Sequence, residues 1–295
     1  MTTFPYMAAA ALASRVTAVL LILCAIRRRL GWKTGVWMSL LSLVFCIAGA
    51  RLYYILTCDL MGAGFFGPLF PADPYSYAFS GGILGFIAAA ALTARLTKQP
   101  FVRVADVFVP AGLFGAALLR LAEAFSDFGW GDMLDAAWLQ RYPFAIQNMY
   151  GEWCAAVFNL EALCALAVLI YVLIRRLPEQ RLPVALIWWA ASQIFCESLR
   201  VESIQWGFVR MQQLTSAIII AAVMLIALYR CHALRKSLVR WLIFAACVGV
   251  VIFVEYAIDK MPWATWIDYV VMAAAVICMG FNAQKTVLFP GEADA

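Results

Sequence analysis

The chain has a single histidine among its 295 residues, and charged residues make up only 13% of it. Soluble domains carry about 25% charged residues, so an ordinary soluble domain is excluded. One histidine also excludes a histidine-built metal centre, and nothing in the sequence calls for a metal or cofactor. The nine cysteines are scattered, mostly inside apolar runs, with no Cys-x-x-Cys pair. They read as small buried hydrophobes, although Cys58 and Cys154 fall near the same membrane face and could pair. A long polar stretch is missing too, which leaves no room for a separate soluble domain. What the chain has in abundance is apolar surface: 65% hydrophobic residues and a mean hydropathy of +0.87. The fold class this implies is an all-α, polytopic transmembrane helix bundle.

Apolar runs of the length that crosses a bilayer occur at about 6–26, 34–57, 78–95, 105–124, 152–174, 183–200, 212–229, 240–258 and 264–283. That predicts about nine helices. No positive charge precedes the first run and Arg27, Arg28 and Arg29 follow it, so it reads as a retained helix with its N-terminus outside. Alternating from there, the loops expected on the cytoplasmic side hold Arg27, Arg28, Arg29, Lys33, Arg95, Lys98, Arg103, Arg175, Arg176, Arg181, Arg230, Arg235, Lys236, Arg240 and Lys285. These are fifteen of the 22 basic residues, and the tail after 283 is cytoplasmic on this count. The net charge of +5 is therefore topological, and no nucleic-acid partner is implied.

Orientation gives depth. Arg51, Arg120 and Arg200 each follow the start of an ascending helix by a similar number of residues and are expected in one layer ~25 Å up. Ser80 opens a descending helix at that level. Glu123 and Glu197 stand three residues from Arg120 and Arg200, the spacing of helix-face neighbours, and Gln193, Glu197 and Arg200 share one face. Glu161 is expected ~13 Å below the outer end of the fifth helix. Arginines at such a height can simply snorkel to the interface, but carboxylates there cost several kcal/mol unless paired or hydrated. A polar cavity lined with arginines and reached from the lipid suits an anionic phospholipid headgroup, because guanidinium forks match phosphate oxygens. The alternative is ordinary interfacial charge pairing.

Several segments, in order, carry a likeness. They are GARLYYIL at 49–56, AFSGGILG at 78–85, ARLTK at 94–98, VADVFVP at 104–110, LRLAEAFSDFGWG at 119–131, ESLR at 197–200 and RMQQLTS at 210–216. Over roughly 49–224 the chain resembles the bacterial phosphatidylglycerol–prolipoprotein diacylglyceryl transferases. The resemblance implies an enzyme of the bacterial plasma (inner) membrane acting in lipoprotein biosynthesis. Its partners would be the bilayer, phosphatidylglycerol and a preprolipoprotein bearing a lipobox cysteine. Position by position it implies catalytic roles for Arg120, Glu123, Glu197 and Ser80, and substrate-binding roles for Arg51, Gly81, Gly82, Glu161, Gln193 and Arg200. Asp106 also matches, but at the cytoplasmic end, where it reads as a helix cap.

The departures are specific. Ser80 stands where the family has histidine, Glu123 where it has asparagine, Phe128 where it has glutamate, and Gln193 where it has arginine. His232, in the basic loop after helix seven, is on the wrong face to substitute for the missing base. Two accounts remain open: Glu123 takes over as base, or the fold persists as a phospholipid-binding protein or a transferase for another lipid or acceptor. A transporter, the third alternative, would predict internal repeats and helices broken near the midplane; no convincing repeat is present, and the charged residues lie in the outer layer. Residues 1–233 are expected to form the transferase-like domain, with seven helices shared with the family. Residues 234–295 are expected to form an added C-terminal hairpin, in which Glu255 and Asp268 flank an outside turn beside Lys260.

Overall fold

A computed structural model describes residues 4–60, 76–126, 128–148, 150–175, 177, 179–201, 203–206, 209–232, 237–261 and 265–289. Arg176, Arg235 and Lys236, used above for the orientation, lie outside the described residues. Among the described residues the chain forms nine α-helices and two short antiparallel β-pairs. It divides into two compact units, Met1–Leu182 and Pro183–Ala295.

The first unit contains α1 (Phe4–Arg27), α2 (Trp32–Leu60), α3 (Phe79–Leu96), α4 (Phe101–Ala122) and α5 (Val157–Arg175). Its centre is built from small and medium side chains: Leu21 and Ala25 of α1, Met38 of α2, Ala89 and Ala90 of α3, and Phe108 of α4. Larger apolar residues such as Leu43, Val44, Leu52 and Ile174 point outward. Small inside and bulky apolar outside is the pattern of helices packed in lipid, where close backbone approach replaces the hydrophobic effect as the packing force. α2 and α3 take this furthest. A Cβ at Gly49 would lie 2.5 Å from the Gly81 carbonyl oxygen, and one at Gly81 would lie 2.5 Å from Tyr53 Cβ.

α4 and α5 are linked by an arm in which β1 (Ala145–Gln147) pairs with β2 (Trp153–Ala155). The fifth helix was expected from residue 152, but Trp153–Ala155 is strand and α5 starts at Val157. The apolar run WCAAVF has no period of its own, so its hydrogen bonds to 145–147 decide the matter. Glu161 is consequently only ~6 Å into α5, not ~13 Å.

Asp106 is a helix cap, but not for its own helix. Its carboxylate accepts the backbone N–H groups of Glu179 and of Arg181, the latter at 3.1 Å, and so caps the start of α6 (Arg181–Ser198). Pro110 lies inside α4 and has no N–H to offer the carbonyl four residues back, which is that of Asp106. Arg181 Nη1 donates to this oxygen at 3.4 Å.

The second unit holds the rest of α6, with α7 (Met211–Arg230), α8 (Leu238–Lys260) and α9 (Thr265–Leu288). A second β-pair, β3 (Gln205–Trp206) with β4 (Val209–Arg210), leads into α7. Trp188 of α6 lies against Gly280 of α9, where a Cβ would come within 2.8 Å of its ring, and its Nε1 donates to Gln284. Eight of the nine helices are long and apolar enough to cross a membrane. The exception is α6, in which Arg181, Gln193 and Glu197 dilute the apolar run. The chain is a multi-pass membrane protein.

Candidate active site

In the first unit the polar residues converge on the last turn of α4. Arg120 is 3% exposed. Its Nη1 meets Glu123 Oε1 at 2.6 Å and its Nε meets Glu161 Oε2 at 3.0 Å. Local sequence dictates the first contact: α4 ends at Ala122 and continues into a 3-10 turn, Glu123–Phe125, so residues 120 and 123 stay on one face. The second is tertiary. Asn159 Nδ2 donates to the Pro143 carbonyl at 2.8 Å, which anchors the first turn of α5 and aims Glu161 at α4. Phe79, the first residue of α3, closes another side, with its ring centroid 4.0 Å from the Arg120 guanidinium carbon.

Arg51 is 2% exposed. Its Nη1 donates to the Ser76 carbonyl at 2.8 Å, and its guanidinium lies 5.5 Å from the Tyr54 ring and 5.9 Å from that of Tyr77. Both arginines thus meet the segment 76–79 that opens α3. Ser80 is fully buried one residue on, Gly81 is buried against α2, and Gly82 is open enough that a Cβ would meet nothing nearer than 3.7 Å. The α1 residue Tyr6 packs edge-on against Phe128, ring centroids 5.1 Å apart, and lies within electrostatic range of Glu123 and Arg120. The buried charges of this unit's site, Arg51 and Arg120 against Glu123 and Glu161, balance formally. Arg120 is therefore not an open anion receptor: two carboxylates already hold it.

The second unit collects the remaining expected residues around the end of α6. Gln193, Glu197 and Arg200 are all buried, and α6 ends at Ser198, so Arg200 lies just beyond the helix. Arg210, the residue before α7, donates through Nη1 to the carbonyls of Glu197 at 2.8 Å and Arg200 at 2.5 Å. Its Nε is 3.4 Å from Glu255 Oε2 of α8, whose other oxygen accepts from Gln213 Nε2. Glu255 was expected as an interfacial acid beside Lys260. It is instead 5% exposed and held by Arg210 and Gln213. The sequence reading passed over Tyr6, Arg210 and Gln213. Arg210 and Gln213 left a trace there, inside the quoted RMQQLTS segment, and Tyr6 left none.

None of the nine cysteines is in a disulfide, Cys58 and Cys154 included. Burial, reinforced by the nearby Glu152 carboxylate, pushes the Cys154 thiol up from its ordinary value, which suppresses the thiolate. His232 is exposed in the turn after α7. A buried arginine between two carboxylates, with an aromatic ring on one side and paired glycines at the next helix start, can bind an anion by partner exchange and can release a carboxylate as it does so.

Residues 4–229 match the family described as prolipoprotein diacylglyceryl transferase, which is more than half of the chain. The chain belongs to the prolipoprotein diacylglyceryl transferase family. It is similar to proteins named phosphatidylglycerol–prolipoprotein diacylglyceryl transferase from three bacteria. The Clostridium kluyveri protein is 29% identical over 186 residues, covering 61% of this chain and 73% of its own length. That of Listeria monocytogenes is 27% identical over 225 residues, 73% and 81% respectively, and that of Synechococcus elongatus 29% over 219 residues, 69% and 73%. The chain is thus a divergent member of a transferase family, and the family match takes in both α4 with Arg120 and α6 with Glu197.

Proposed function

We propose that the protein transfers the diacylglyceryl group of phosphatidylglycerol to the lipobox cysteine of a preprolipoprotein at the outer side of the bacterial plasma (inner) membrane, with its N-terminus outside and C-terminus cytoplasmic. The observation that carries this reading is Arg120 held between Glu123 and Glu161. In the proposed reaction the lipid phosphate displaces Glu123 from Arg120. The freed carboxylate takes the proton of the substrate thiol, and the thiolate sulfur attacks the glycerol carbon. A C–S bond forms, the C–O bond to phosphate breaks, and glycerol phosphate leaves with its charge held by Arg120. Arg51 steadies the opening of α3, and Ser80, Gly81 and Gly82 border the space the lipid enters. The roles of Gln193, Glu197 and Arg200 follow from their sequence positions within the family's sixth-helix motif. Residues 1–233 form the transferase-like domain and 234–295 an added two-helix hairpin, a division supported by the end of the family match at residue 229.

A second reading has its own observation: Ser80 replaces the expected histidine and Glu123 is engaged by Arg120, as in a phospholipid-binding relative that no longer turns over. The test is transfer of labelled diacylglycerol from phosphatidylglycerol to a lipobox peptide by the purified protein, beside Arg120→Lys and Glu123→Gln. One ammonium cannot reproduce the two-pronged guanidinium contact, so Arg120→Lys should lower turnover about 100-fold or more, and Glu123→Gln should abolish it. Turnover that survives Glu123→Gln removes Glu123 as the base. No wild-type turnover, with phosphatidylglycerol still bound through Arg120, establishes the second reading.

A further inference from the structure

We propose that the first unit carries a second, non-catalytic site for a phosphate group at the other end of α4, in a cavity of about 530 Å³ lined by Arg28, Arg103, Asp106, Glu179 and Arg181. The site does not rest on the proposed transfer reaction. Arg103 and Arg120 are 17 positions apart on one helix, ~26 Å along its axis, so the two cannot share a ligand headgroup.

The cavity draws cations from three separate pieces of chain. Arg28 follows α1, Arg103 lies in the first turn of α4, and Arg181 opens α6. The carboxylate that would be expected to neutralise them is occupied elsewhere. Asp106 spends its oxygens on the backbone N–H groups of Glu179 and Arg181. The Arg181 guanidinium is held at the cavity by its bond to the Asp106 carbonyl, the one Pro110 leaves open. No described residue forms an ion pair with Arg28, Arg103 or Arg181. Glu179 is the one lining carboxylate not bound to a backbone amide, and it is exposed on the rim.

The α4 N-terminus adds to this balance. Its N-cap, Pro100, makes no side-chain cap, so the first-turn amides point out of the helix with the positive end of the dipole. Three guanidinium groups and an uncapped helix start around one cavity match the tetrahedral oxygens of a phosphate. Val102 and Val107 supply an apolar wall beside them, suited to the glycerol and acyl part of a phospholipid. The shared chemistry is a phosphate ester or free phosphate, and the two sources separate experimentally.

The full-length protein is placed in phosphatidylcholine nanodiscs. One arm is titrated with inorganic phosphate by calorimetry, and a second uses discs doped with phosphatidic acid, with bound lipid counted by native mass spectrometry. The comparison is between wild type, Arg28→Gln/Arg103→Gln, Glu179→Gln and Arg141→Gln, the last an exposed arginine of the arm that lines neither site. Arg28 and Arg103 are exposed, so the double variant is expected to fold, and its unfolding transition in detergent should match that of wild type. The expected result is binding in at least one arm, weakened about 10-fold or more in the double variant, strengthened in Glu179→Gln and unchanged in Arg141→Gln. Binding of phosphatidic acid alone identifies a lipid headgroup site, and a phosphate titration identifies a free-anion site. The proposal is overturned by no binding in either arm, by wild-type binding in the double variant, or by an equal loss in Arg141→Gln.

Discussion

The Arg210–Glu255 contact makes α8, a helix outside the family match, into a support for the end of α6. Truncating Glu255 to alanine leaves Arg210 Nε without its carboxylate at 3.4 Å and removes one of the two acceptors of Gln213 Nε2, which keeps the Ile194 carbonyl at 3.0 Å. Breaking a buried ion pair costs about 3–5 kcal/mol. Arg210 retains its bonds to the carbonyls of Glu197 and Arg200, and its side chain is 12% exposed. The lower end, about 3 kcal/mol, is therefore expected, roughly 150-fold in the folded-to-unfolded ratio. Arg210→Ala removes the same pair and the two carbonyl bonds as well, so it should cost at least as much. The assay is unfolding of the purified protein in mixed detergent micelles, followed by circular dichroism, for both single variants and the double. If the side chains act as a pair, the double variant should be more stable than the sum of the single losses predicts by about 1–2 kcal/mol. Additivity within about 0.5 kcal/mol would refute the contact as an energetic link and return Glu255 to the role of an interfacial acid.

Adjacent glycines give a sharper contrast. Gly81→Ala places a methyl group against the Gly49 carbonyl and Tyr53 and should cost about 1–3 kcal/mol, whereas Gly82→Ala, with nothing nearer than 3.7 Å, should leave the unfolding transition in place. Asp106→Ala removes the cap of α6 and should cost about 0.5–2 kcal/mol, with Asp106→Asn retaining part of it. Equal stability of Asp106→Ala and wild type would show that the cap is made by other groups.

What the sequence revealed and what it hid divide along the distance over which each feature is encoded. Helix positions followed from apolar runs, and the Arg120–Glu123 pair from a three-residue spacing, because both are local and periodic. Glu161 was chosen from the family likeness, but its contact with Arg120 depends on how α5 meets α4, which no periodicity records. Asp106 was placed at the right helix end with the wrong client, since the helix it caps begins some 75 residues later. Arg210 headed the RMQQLTS segment, but its contact with Glu255, 45 residues further on, is recorded by no spacing. The β-pair that shortens α5 lay in a run whose composition suits strand and helix equally.

The seam between α2 and α3 has a mechanical consequence for the site above it. Where two backbones touch through Gly49 and Gly81, there are no rotamers between them to shift and no space for a lipid chain to slip in. Arg51 rides on one of these helices, and Phe79 and Ser80 on the other. That wall of the site should therefore behave as a rigid plate, and the give needed to admit the proposed two-chain lipid substrate is expected in the parts joined by side chains: Tyr6 on α1, the turn at Glu123, and the arm that holds the start of α5.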